Sequence, residues 1–431
     1  MDISIISVVP EIYKPFLQAS LLQKAQEKGI LKIDLDSFFS FVEPKERIDA
    51  SIYGPGAGML IRPQVVEKAI EGKEKVYGKA FKIFFSPQGK SLDQRLVQEI
   101  AWKARDRGHL MLLPARYEGM DTRVEEYYAD SIVSVGNFVM MGGDLAAMML
   151  LETVVRYIPG VVGKQEAVTE ESFSGPFVEY PHYTEPLEWK GMRVPEILRS
   201  GNHAAIEKWR MQQAAERTVF GHFDWLRTSS MTGYQRELAQ KYIPHHYCAF
   251  LQDQVLVDPT EKKGVSLSTS TGLYDLACLA RMYGLKRCFL ITPLPDQQQM
   301  VNRLFESWQT KGREYDKEVI TVLTVVDQLD TVIDTIEKAE GSKPLIIAAS
   351  TSAVEHAKII SFYDQQDVWT HKRPILFIFD TDNKGFDEAL LAKADFLLKP
   401  IKGFSDFTHI SVRSVVSIVL DRWLGINEKD C

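Results

Sequence analysis

Ser134-Val135-Gly136-Asn137-Phe138-Val139-Met140-Met141-Gly142-Gly143 follows a short apolar run and packs three glycines into ten residues. Two upstream stretches share the design: Ser86-Pro87-Gln88-Gly89 after Phe81 to Phe85, and Arg116-Tyr117-Glu118-Gly119 after Leu110 to Pro114. Short buried strands ending in glycine-rich turns are the pattern of a parallel sheet whose strand C-termini share one ligand crevice. Glycine permits positive φ and close backbone approach, so three such loops side by side predict a site that grips an adenine and its ribose through main-chain groups. Taken singly, each loop also reads as ordinary punctuation between strand and helix.

Working outward, 431 residues exceed what one hydrophobic core usually organises, which predicts two domains. The net charge of −7 divides into −3 over residues 1–231 and −4 over the rest, so neither half is a polycation. A nucleic-acid partner would have to be met by a local basic patch. Cys248, Cys278, Cys288 and Cys431 lack metal-ligand spacing, which predicts a reducing compartment and no metal site. The N-terminus carries no signal pattern and no apolar run approaches the ~20 residues of a membrane span. A soluble cytoplasmic protein with no membrane partner is expected.

Along the chain, Ile3 to Val9 predicts a strand, Glu11 to Gly29 a helix with Phe16, Leu17, Leu21 and Leu22 on one face, and Leu31 to Leu35 a second strand. Ile52 to Leu60 is too glycine-rich for regular structure and predicts a loop that covers a ligand. A helix from Pro63 to Glu71 follows, and Leu145 to Ile158 reads as one apolar helix. From Gly160 to Pro195 periodicity is lost, as in a functional loop or a linker. A helix from Ala204 to about Phe220 carries Lys208, Arg210 and Arg217 and reads either as a solvated face or as a phosphate-contacting surface. From Tyr247 a second alternation of strands and helices runs to Leu424. The division expected is an α/β domain over 1–165, a loop and helical subdomain over 166–230, a linker over 231–246 and a second α/β domain over 247–431. Trp209, Trp225, Trp369 and Trp423 read as packing residues, His182 and His203 as groups that orient loops by hydrogen bonds rather than transfer protons, and His245-His246 has no third ligand at metal spacing.

In order and spacing, the three glycine-rich stretches, Arg156-Tyr157-Ile158-Pro159-Gly160-Val161, Pro181-His182-Tyr183-Thr184 and Ser200-Gly201-Asn202-His203 together resemble the bacterial tRNA (guanine-N1)-methyltransferases across residues 1 to 228. The resemblance implies a trefoil-knotted α/β domain of the SPOUT class that binds S-adenosylmethionine, and a helical subdomain that grips tRNA. It also implies a homodimer with active sites at its interface, no DNA partner, and methylation of N1 of the guanine at position 37 of tRNA, just 3′ of the anticodon. Guanine N1 carries a proton, so this chemistry calls for a general base, with cations or N–H donors on O6. Carried over by position, the base is Glu171, where the family has aspartate, and Arg156 is its cationic partner. The cofactor positions implied are Ser86, Pro87, Gln88, Ala115, Tyr117, Glu118, Gly119, Val135, Gly136, Asn137, Phe138, Val139, Met140, Gly142 and Gly143. Arg199, Asn202, His203, Lys208 and Arg210 would meet tRNA. Read without the family, Glu170-Glu171 is a solvated acidic pair and Arg156 a helix C-terminal cation.

The sequence also departs from that family. Asp49-Ala50-Ser51 stands where it has an acidic pair and an arginine, Ala115 where it has glycine, Phe138 for tyrosine and Met141 for serine. Residues 245 to 425 resemble a family of SPOUT-class RNA methyltransferases found fused to this enzyme, through Leu398-Lys399-Pro400-Ile401 and His409 to Ser414. There Asp380 and Asp382 replace cofactor-loop glycines, and carboxylates would repel a cofactor that itself bears one. This half reads as a degenerate methyltransferase kept for binding or assembly. Two rival readings stand beside the leading one: a catalytically weak tRNA-binding protein derived from the enzyme, and an RNA methyltransferase acting through the second domain.

Overall fold

In β1 (Asp2–Ser7), Ile3 and Ile5 enter the core on one face of a sheet and Ile6 the core on the other. The computed structural model describes residues 1–56, 58–163, 171–251, 270–311, 314–349, 358–380, 386, 388–405 and 410–427, which divide into two compact units, Met1–Ser174 and Gly175–Cys431. The same two-sided burial recurs in β5 (Phe81–Ser91), where Ile83 and Phe84 face opposite cores, and in β6 (His109–Leu113), where Leu112 and Met111 do. A period of two with both faces apolar is what a helix-covered parallel sheet requires. With β2 (Lys32–Ser37) and β7 (Ser131–Ser134), these strands form a parallel sheet in the order β2-β1-β6-β5-β7.

Helices α2 (Ser20–Glu27), α4 (Gln94–Arg107) and α6 (Asp144–Val154) bury Leu22, Ile100 and Leu150 on one face of that sheet. On the other face, α3 (Pro63–Tyr77) and α5 (Thr122–Tyr128) bury Val66, Ile70 and Val124. Three elements differ from the periodicity. The helix expected over Glu11 to Gly29 is broken into a 3-10 turn (Pro10–Tyr13), α1 (Lys14–Leu17) and α2, with Ser20 at φ +45° where a continuous helix cannot pass. Helix α3 runs on to Tyr77, beyond Glu71, and α6 ends at Val154 before tightening into a 3-10 turn (Val155–Tyr157). Both ends of the Ile52 to Leu60 stretch are tied down, by the antiparallel pair β3 (Asp49–Ser51) and β4 (Met59–Ile61).

The second unit opens with a small hairpin, β8 (Glu188–Trp189) and β9 (Met192–Arg193). Its main sheet is wholly parallel, with β10 (His246–Leu251), β11 (Arg287–Ile291), β12 (Leu323–Val326), β13 (Leu345–Ala349), β14 (Ile359–Ile360), β15 (Ile375–Asp380) and β16 (Phe396–Leu398) in the order β12-β11-β10-β15-β13-β16-β14. Phe250, Phe377, Trp369 and Trp423 share one core with Ala214 and Val219 of the His203–Gly221 helix. Leu238 of the Gly233–Gln240 helix joins them; this helix lies in the stretch expected as a linker and is opened by reciprocal bonds between Thr232 and Gln235. His246 is buried in that core, its Nδ1–H donating to the Pro244 carbonyl (2.6 Å) and its Nε2 accepting from the Trp423 indole N–H (3.0 Å). Burial lowers its pKa to about 3, so the ring is neutral. No helix among the described residues is long and apolar enough to cross a membrane.

Candidate active site

The three glycine-rich turns leave the first sheet at its C-terminal edge. Strand β5 bulges between Phe85 and Lys90, β6 ends at Leu113 and β7 at Ser134. Between them lies a cavity of about 350 Å³. Its wall is made by Ser86, Pro87 and Gln88 of the bulge, by Ala115, Tyr117, Glu118 and Gly119 after β6, and by Val135, Gly136, Phe138, Val139, Met140, Gly142 and Gly143 after β7. Asn137, of the same turn, is not on the wall, whereas Phe85, Arg116, Val133, Ser134 and Ala146 are.

Close approach of backbone to backbone explains the glycines. A Cβ on Gly143 would lie 3.1 Å from the Ala115 nitrogen and 3.2 Å from the Pro114 Cα. The Gly143 N–H donates instead to the Ala115 carbonyl at 2.7 Å, joining the turn after β7 to the turn after β6. On the other side, a Cβ on Gly89 would come within 2.6 Å of the Ile132 carbonyl carbon. Tyr117 takes φ +59°, a conformation rare for a bulky residue, and the Glu118 N–H donates to the Met59 carbonyl (3.0 Å), which ties the turn to β4.

Directly behind the double glycine, Asp144 opens α6 and is buried. Its Oδ1 accepts from the Ser7 hydroxyl (2.6 Å) and the Tyr13 hydroxyl (3.1 Å), and its Oδ2 pairs with Arg116 Nε (2.7 Å). A buried carboxylate is tolerated only when paired and hydrogen-bonded, and three donors meet that need here. Burial and the adjacent Asp144 push the Tyr13 phenol well above its ordinary pKa, so it stays a donor. Arg116 stands out in the sequence only as part of its glycine-rich stretch, with no role of its own, and Asp144 does not stand out at all. An acidic residue opening an otherwise apolar helix was the available signal.

Arg156 and Glu171 meet in an ion pair through Nη2 and Oε1, both partly exposed, and neither lines the cavity. Glu170 lies outside the described residues. In the second unit, Asn202 caps the His203–Gly221 helix, its Oδ1 accepting from the Ala205 N–H at 3.1 Å. Arg199 closes a 3-10 turn (Glu196–Arg199), and Arg199, His203 and Lys208 are exposed. The Arg210 guanidinium lies 4.6 Å from the centre of the Tyr180 ring, and its Nε has no hydrogen-bond partner among the described residues. Arg217 donates to the Glu179 carbonyl (3.4 Å). Asp380 ends β15, while Asp382 and His409 lie outside the described residues. Among the described residues no group of three or more His, Cys, Asp or Glu could hold a metal ion.

Comparison with known proteins gives this geometry a family. The model of a family described as tRNA (Guanine-1)-methyltransferase TrmD matches residues 1–228, and that of a family described as SAM-dependent RNA methyltransferase matches residues 247–425. A tRNA (guanine-N(1)-)-methyltransferase of Nitratidesulfovibrio vulgaris is 31% identical over 435 residues, covering 99% of each chain. Proteins of the same name from Bacillus velezensis and Thermus thermophilus are each 40% identical, over 55% and 51% of this chain and 97% and 89% of their own. Matched by that family's model over its first half and by a relative along nearly its whole length, the chain belongs to the tRNA (guanine-N1)-methyltransferase family.

Proposed function

We propose that this chain transfers a methyl group from S-adenosylmethionine to N1 of the guanine at position 37 of tRNA. The observation that carries the reading is the cavity at the C-terminal edge of the first sheet, walled by the Ser86, Arg116 and Ser134 stretches. Its volume of about 350 Å³ is that of a small-molecule pocket, and its glycine-rich turns expose main-chain groups to an adenine and a ribose. The residues present therefore fit S-adenosylmethionine, which supplies an electrophilic methyl on a sulfonium. Glu171 takes the N1 proton, and Arg156, its ion-pair partner, meets the charge that gathers on guanine O6 as the proton leaves.

Val139 on the cavity wall and Met141, Leu145 and Met149, which follow it in the chain, are 86%, 91%, 62% and 50% exposed. An apolar stripe this open supports a homodimer, in which Glu171 and Arg156 of one chain serve the cavity of the other. The knotted SPOUT arrangement rests on the family to which the first half of the chain belongs. The exposed cations Arg199 and Lys208, with Arg210 stacked on Tyr180, support tRNA contact by residues 166–230, and Asp380 at the end of β15 supports a second domain kept for binding. The assignment to the cytoplasm rests on the tRNA substrate. Single-turnover methyl transfer to a tRNA bearing guanine 3′ of its anticodon tests the function. Product carrying N1-methylguanine at that position alone is expected, and no transfer, or transfer that persists when that guanine is replaced by adenine, would overturn it.

A further inference from the structure

Just after the second unit begins, its chain is laid along the His203–Gly221 helix and held there at successive points. The Val178 N–H donates to the Thr218 hydroxyl (2.9 Å), Arg217 donates to the Glu179 carbonyl (3.4 Å), and the Tyr183 ring lies 6.5 Å from that of Trp209. Val178 and Thr218 are buried, and Tyr180 between these anchors is partly buried against the core of the unit. The Tyr180 ring is thus fixed by what flanks it, and the Arg210 guanidinium lies over it, 4.6 Å from its centre.

That ring is the one partner Arg210 has. Among the described residues its guanidinium makes no hydrogen bond or ion pair, and its Nε is closed to solvent without an acceptor. Glu207, three residues earlier on the same helix, makes no ion pair with it, and Glu179, beside Tyr180 in the chain, pairs with His182 (3.4 Å). Other arginines are satisfied within the fold: Arg116 by Asp144, Arg281 by Glu318, and the buried Arg227 by the carbonyls of Asp421, Arg422 and Gly425. A guanidinium that gives up water at one nitrogen and gains no acceptor is costly, and an aromatic face offsets that cost only in part. What Arg210 has left to donate is at Nη1 and Nη2, a planar fork that matches two oxygens of a phosphate. In a chain of net charge −7, an RNA backbone has to be met by local cations of this kind.

We propose that Tyr180 is a positioning residue for tRNA binding, its ring holding the Arg210 guanidinium as a preset fork for one phosphate of the backbone; this rests on the tRNA reading of the chain. The test is binding of a fluorescently labelled anticodon-arm RNA to the full-length chain, followed by anisotropy over a series of KCl concentrations. Arg210→Ala is expected to weaken binding about tenfold and to make the slope of log affinity against log salt shallower by about one. Arg210→Lys keeps the charge, and so the slope, but loses the fork and binds severalfold more weakly. Tyr180→Phe keeps the ring and binds as the parent does, whereas Tyr180→Leu frees the guanidinium and weakens binding severalfold. Because Tyr180 acts through Arg210, adding Tyr180→Leu to Arg210→Ala costs nothing further. The proposal alone is overturned if the parent binds and Arg210→Ala keeps its affinity and slope, or if Tyr180→Leu costs as much in the Arg210→Ala chain as in the parent, as direct stacking on a base or lost folding would give. Absence of saturable binding by the parent overturns the tRNA reading and this proposal together.

Discussion

The main sheet of each unit is wholly parallel, yet the cavities open at opposite strand ends and in different chemistry. In the first unit the cavity lies beyond the C-terminal ends of β5, β6 and β7, and among the described residues its only Lys, Arg, Asp or Glu are Arg116 and Glu118, one of each sign. In the second it lies at the N-terminal ends of β10 and β11, and its described lining holds four Arg or Lys residues, of which Arg281 pairs with Glu318 outside the lining. A parallel sheet determines where loops converge, while the residues on those loops decide what binds. Near-neutral main chain suits a cofactor that carries charges of both signs.

The largest expected effect separates chemistry from cofactor binding in the first unit. Glu171→Gln keeps size and hydrogen bonding but removes the proton acceptor, so single-turnover methyl transfer should fall by roughly 10²–10⁴ while S-adenosylmethionine affinity stays within about twofold. Unchanged transfer would remove Glu171 as the base.

Next come the two buried ionic clamps. Asp144→Ala strips Arg116, Ser7 and Tyr13 of their shared acceptor, and urea unfolding should show a loss of ~3 kcal/mol together with weaker S-adenosylmethionine binding. Arg227→Met leaves three carbonyls of the second unit short of a donor, at a cost of ~2 kcal/mol, with that affinity unaltered. Equal effects of the two changes on cofactor binding would erase the distinction drawn between the units.

Smallest is a pH effect confined to the second unit. Burial holds His246 near a pKa of about 3 in the folded chain, against ~6.5 when unfolded. As pH falls below ~6.5, the unfolded chain takes up a proton that the folded chain refuses, so this group subtracts ~1.4 kcal/mol of stability per pH unit until the folded pKa is reached. His246→Gln keeps an acceptor for Trp423 and should remove that share of the slope in urea titrations at pH 7.5 and 5.5. Parallel slopes in parent and variant would show that His246 is not the group responsible.

Much of the first cavity was legible because its parts are local. Buried strands leave apolar runs such as Phe81 to Phe85, and the turns that follow announce themselves in glycine. The break at Ser20 was not legible, since Leu17, Leu21 and Leu22 keep helical spacing through it. Asp144 was missed for a different reason: its donors come from Ser7, Tyr13 and Arg116, which only the fold brings together. The Gly233–Gln240 helix is short enough that its buried Leu238 and Ala239 make no readable period. The second unit's cavity draws its lining from residues as far apart as Arg227 and Lys286, with Arg236 and Arg281 between, so no single stretch announced it.

Titration of the full-length chain with S-adenosylmethionine, beside Gly143→Val and Lys286→Glu, tests most directly the claim that the cofactor belongs to the glycine-built cavity alone. A side chain on Gly143 must push against the Ala115 and Pro114 backbone, so the account predicts saturable binding at no more than one site per chain, weakened at least about tenfold in Gly143→Val and unchanged in Lys286→Glu. Two sites per chain, or undiminished binding in Gly143→Val, would contradict it.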